Sequence, residues 1–102
     1  MDATELFWDL ATDLVGRDGV EEGTIMGSPC LRASGEFFAM PEHRGGGLVA
    51  KLPAARVDEL VAGGTGEPFA PAGKVFKEWV LIRQPDAALW NQLLQEARGF
   101  VA

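Results

Sequence analysis

The chain has 102 residues, 47% of them apolar and 24% charged. That composition fits one globular domain with a single core and excludes disordered and fibrous classes. No apolar run approaches the roughly 18 residues a membrane span needs, and a single cysteine, Cys30, rules out an internal disulfide. The formal charge of −6 is unevenly placed. Residues 1–22 carry seven acids (Asp2, Glu5, Asp9, Asp13, Asp18, Glu21 and Glu22) against one base, Arg17, and the remainder is neutral. This disfavours wholesale wrapping by nucleic acid and leaves open a local basic face. The opening MDATELFWDL has no basic segment leading into an apolar stretch, so no secretory signal is expected and the chain is read as cytoplasmic.

Leu6, Phe7, Leu10, Leu14 and Val15 recur at helical spacing and predict a helix over about residues 3–15. Asp2 and Glu5 fit a capping box at its start, and Gly16 and Gly19 stop it. From Val20 to Leu52 the period shifts to strands: VEEGTIM, CLRAS, EFFAM and GLVAKL, separated by Gly, Pro and Ser. Ser34-Gly35 reads as a two-residue hairpin turn, which would pair Ala33 with Glu36, Leu31 with Phe38 and Cys30 with Ala39. A second helix follows Pro53, burying Val57, Leu60 and Val61, and ends at Gly63-Gly64. Residues 63–78 read as a long irregular connection, pinned to the core by Phe69, Val75 and Phe76. WVLIR (79–83) is a strand, and Pro85-Asp86 open a last helix burying Leu89, Trp90, Leu93, Leu94 and Ala97. The order αββββαβα predicts an α+β fold in one domain over 1–102, with helices on one side of a largely antiparallel sheet.

Three stretches, GEFFAM (35–40), LVAKLPAARVDEL (48–60) and GEPFAPAGKVFKEWV (66–80), together with Met26-Gly27 and a lysine inside an apolar strand, carry a family likeness. In them the chain resembles the stand-alone domains like the N-terminal domain of the TfoX competence regulator, and the related MmcQ/YjbR-like proteins. The resemblance spans about residues 20–100 and implies an α+β fold in mostly uncharacterised bacterial proteins, some labelled regulators or DNA-binding proteins. The chain departs from it in reading IMGSPC, where those domains tend to place a phenylalanine after the methionine.

Catalytic chemistry finds few footholds. A cysteine or serine nucleophile needs a base within hydrogen-bond reach, and the only histidine, His43, lies four residues beyond the expected partner of Cys30, about 13 Å along a strand. One His and one Cys do not make a zinc cage. An EF-hand alignment around Asp18-Gly19 puts Leu14 and Ile25 where acids are required. The glycine runs 45–47 and 63–66 lack the strand-to-helix context of a phosphate cradle. No catalytic residue, metal or cofactor is therefore expected.

Binding remains. Arg32, Arg44, Lys51, Lys74, Lys77 and Arg83 fall on strands, hairpin tips or the long connection, where they either share a face beside Phe37 or Trp79 or pair with Glu36, Glu42, Glu67 and Glu78. Lys51 stands out: alternation puts Leu48, Ala50 and Leu52 on one face of its strand and Val49 and Lys51 on the other. Were the long connection folded over that face, the ammonium would sit in an aromatic-rimmed pocket. The candidate binding surface is thus Lys51, Arg32, Lys77, Trp79 and Arg83, and the acidic face of the first helix, Asp2, Glu5, Asp9 and Asp13, is a candidate dock for a basic partner. The leading expectation is a non-catalytic regulatory or protein-interaction module; the alternatives are a DNA-binding module and a binder of a small anionic ligand.

Overall fold

The structure, a computed structural model, describes residues 2–17, 19–25 and 27–101. Asp18 and Met26, used above in the EF-hand comparison, the first strand and the family resemblance, lie outside them.

Helix α1 (Ala3–Leu14) starts where Asp2 accepts a hydrogen bond from the Glu5 amide at 2.8 Å, half of the expected capping box. Four strands follow: β1 (Val20–Ile25), β2 (Ser28–Ala33), β3 (Glu36–Pro41) and β4 (Leu48–Lys51). Then come α2 (Ala54–Ala62), β5 (Glu67–Pro68), β6 (Trp79–Ile82) and α3 (Ala87–Val101). The sheet runs β1-β2-β3-β4-β6-β5 and every pairing in it is antiparallel. This is the expected α+β architecture with one addition, the two-residue β5 inside the connection read as irregular. Gly66 lets that strand lie close: a Cβ there would stand 2.6 Å from the Val80 side chain.

The Ser34-Gly35 turn has positive φ at both residues, 55° and 81°, as a type I′ hairpin requires. Ala33 pairs with Glu36 as expected, but beyond Arg32–Phe37 the register slips and Leu31 meets Ala39. The expected pairs Leu31–Phe38 and Cys30–Ala39 are therefore corrected. Phe38 is the extra residue of a bulge, and its ring is fully buried in the core. Two successive residues, Phe38 and Ala39, then both turn inward, which strict alternation forbids.

All three helices cover one face of the sheet. Phe7 and Leu14 of α1 and Trp90, Leu93 and Leu94 of α3 meet Leu31, Phe38, Leu48, Leu52, Val80 and Ile82 of the strands in one cluster. Each such large side chain contributes up to about 3 kcal/mol through its removal from water. Trp90 Nε1 still donates to the Gln84 carbonyl at 3.0 Å, so the indole is buried without an orphaned donor. Trp8 is only half-buried, edge-on to Phe7. Arg56 of α2 reaches Glu96 of α3 through two hydrogen bonds, 2.9 and 3.2 Å. No helix among the described residues is long and apolar enough to cross a membrane.

Candidate functional site

The face turned away from the helices holds the site, and alternation decides what it displays. With Leu48, Ala50, Val80 and Ile82 in the core, Val49 and Lys51 of β4 and Trp79 and Leu81 of β6 point the other way, as do Met40 of β3 and Cys30 and Arg32 of β2. Cys30, Val49 and Leu81 are buried there too. This second face is therefore largely withdrawn from solvent at its middle.

The three cations on its strands and at the end of β6 meet local acids. Arg32 meets Glu21 of β1 at 2.9 Å, Lys51 meets Glu36 at 3.8 Å, and Arg83 meets Glu42 at 3.5 Å and Glu67 at 3.3 Å. Arg83 also donates to the carbonyls of Arg44 and Gly46, at 2.7 and 3.1 Å, and so ties the β3–β4 loop to the end of β6. Arg32, Lys51 and Arg83 thus share one face, yet it is a lattice of ion pairs rather than a bare basic patch. Lys74, Lys77 and Arg44 have no acidic partner among the described residues and stand exposed on loops.

Over the β3, β4 and β6 part of this face, the segment after β5 folds back. The Phe76 amide donates to the Phe69 carbonyl at 3.0 Å and closes it into a compact loop. The Phe69 ring lies 5.9 Å from Phe76 and 6.5 Å from Trp79, centroid to centroid. These aromatics do not pin the loop to the core as expected: Val75 and Phe76 are 52% and 43% exposed. The loop folds onto the opposite face and leaves an open groove of about 530 Å³. Met40 and Pro41 line it along β3, Ile25 and Ser28 at the tip of the first hairpin, and Phe69, Phe76 and Trp79 along the loop. His43, Arg44, Glu42 and Arg83 form its polar end. A hollow of about 350 Å³ adjoins it beside α2, lined by Val57, Val61, Val75 and Lys77, with Phe76 and Trp79 as the ridge between the two.

Of the residues singled out from the sequence, Trp79 and Arg83 line the groove and Lys77 lines the neighbouring hollow. Lys51 and Arg32 line neither, so the aromatic-rimmed pocket exists but Lys51 is not its cation. Asp2, Glu5, Asp9 and Asp13 are all exposed on α1, as the amphipathic pattern implied. Met40, Phe69 and His43 were not singled out as binding residues. The one sign of them in the sequence is a methionine and a phenylalanine at positions that alternation or loop character would assign to solvent.

Cys30 pairs with Gly23 in β1 and is fully buried, while His43 sits exposed on the β3–β4 loop. Burial pushes the Cys30 thiol above its ordinary value, partly offset by the Arg32 guanidinium and by a hydrogen bond with the Gly23 backbone. A thiol held protonated in this way is a poor nucleophile. No family model, no curated protein and no solved structure matches the chain.

Proposed function

We propose that the chain is a non-catalytic binding module that holds a bulky apolar side chain of a protein partner in the groove on the second face of its sheet. The observation that carries this is the groove itself: Phe76 stays 43% exposed beside Phe69, Trp79 and Met40, in an opening of about 530 Å³. Aromatic and methionine side chains left together at an opening of this kind are the usual anchors of a recognition surface. The likeness to TfoX N-terminal-like and MmcQ/YjbR-like domains, some of them labelled regulators, agrees with this reading and is proposed here as the chain's family.

The other two readings draw less support. A small anion would compete with Glu36 for Lys51, and of the bases near this face only Arg44, Lys74 and Lys77, on loops, lack an acid partner among the described residues, since Arg32 and Arg83 are paired with acids. Selection of random displayed peptides on the folded chain tests the proposal. Bound peptides are expected to share a bulky apolar residue, to shift Trp79 emission, and to lose at least ten-fold in affinity for Phe76→Glu. Peptides with no apolar consensus, or indifferent to Phe76→Glu, would contradict it. A random DNA duplex at low salt is the parallel probe: a mobility shift that weakens steeply with salt would favour the DNA reading instead.

A further inference from the structure

The two edges of the sheet are unequal. At one end β5 has two residues, one of them Pro68, which has no N–H to offer. At the other, β1 runs six residues, Val20–Ile25, with no strand beyond it. The turn from α1 fixes which backbone groups of β1 face outward. The Val20 amide donates to the Arg17 carbonyl and the Val20 carbonyl accepts from the Gly16 amide, both at 2.9 Å, so Val20 turns its polar groups away from β2. In an antiparallel ladder that direction alternates. Glu21, Gly23 and Ile25 therefore bond to β2, while the N–H and C=O of Glu22 and Thr24 point out of the sheet and have no backbone partner among the described residues.

From this open edge and its charge we infer a second docking site, which meets the groove only at Ile25: β1 takes an extended basic segment of a partner protein as an added antiparallel strand. The backbone of Glu22 and Thr24 supplies the hydrogen bonds. The side chains set the sign. Glu21 and Glu22 are exposed along the strand, Glu22 has no cation partner among the described residues, and Arg17 is the one base among the first 22 residues of the sequence. A second copy of the chain would bring the same acids against these, whereas lysines or arginines at alternate positions would share the face of Glu22, the acid that Arg32 does not already hold. At Gly23 the Arg32 side chain lies across the strand, 3.2 Å from where a Cβ would stand.

The test uses a short fluorescein-labelled peptide alternating lysine with valine, read by anisotropy. Binding is expected, at least ten-fold weaker for Thr24→Pro, which removes an outward N–H and no bond to β2. Binding is expected to weaken also for Glu22→Lys, and for the same peptide N-methylated at alternate amides on the unaltered chain. No binding would overturn the inference. So would loss with Glu22→Lys alone while Thr24→Pro and the N-methylated peptide bind as before, since that is charge attraction without strand addition. A dimer in sedimentation that Thr24→Pro dissociates would replace the basic segment by a second copy. Phe76→Glu is expected to leave this binding unchanged, which separates it from the groove.

Discussion

Arg56 and Glu96 join α2 to α3 at a point where both side chains are about one-third exposed. Their contact is bidentate, the geometry that makes an Arg–carboxylate pair strong. The Arg56 guanidinium, with help from Gln92, holds the Glu96 carboxyl below its ordinary 4.5 against the opposing effect of burial. A carboxyl lowered on folding stabilises the protein above its unfolded pKa, and that contribution fades as pH falls through the lowered value. Glu96→Gln is therefore expected to cost about 1 kcal/mol at neutral pH, measured by urea unfolding, and the gap to the unaltered chain should close in acid. At this scale the sequence is legible where a residue acts with near neighbours. Asp2 as a helix cap and Trp90 as a core residue follow from spacing alone. The partner of Lys51 does not: Glu36 reaches it from a different strand, and only the assembled sheet brings the two together.

At the scale of elements, local chemistry predicts each helix and all but the smallest strand. The hairpin at Ser34-Gly35 shows both the reach and the limit of such reasoning. Its place and two-residue length follow from the residues, and the first pair follows from the turn. The bulge at Phe38 does not, because Phe37 and Phe38 are interchangeable to any hydrophobic pattern. The core decides between them by taking Phe38 whole. Ser34 holds φ 55°, a conformation that asparagine tolerates better. Ser34→Asn is expected to raise the melting midpoint by a few degrees, and Gly35→Ala, at φ 81°, to lower stability by about 1 kcal/mol, both followed by circular dichroism.

Across the whole molecule, charge and apolar surface are segregated. Asp2, Glu5, Asp9 and Asp13 are exposed at the start of α1 and along it, and Glu21 and Glu22 along the edge strand β1, while the groove opens on the face of the sheet turned away from the helices, lined by β3, β6 and the loop after β5. Much of the acidic excess thus lies along α1 and β1, while Arg32, Lys51 and Arg83 on the second face are each paired with acids. The groove was only partly legible. Strand alternation placed Lys51 and Val49 on a common face, but whether a loop of glycines and prolines folds over that face depends on how Phe69, Phe76 and Trp79 stack, a tertiary outcome. The claim that this groove is where a partner binds is tested most directly by placing a photo-crosslinking phenylalanine analogue at Phe76 and mapping what it captures in cells. Crosslinks to one segment of one protein are expected, centred on a bulky apolar residue and lost when Met40→Glu fills the floor with charge while the melting midpoint holds. Crosslinks scattered over many proteins, or unchanged by Met40→Glu, would contradict the claim.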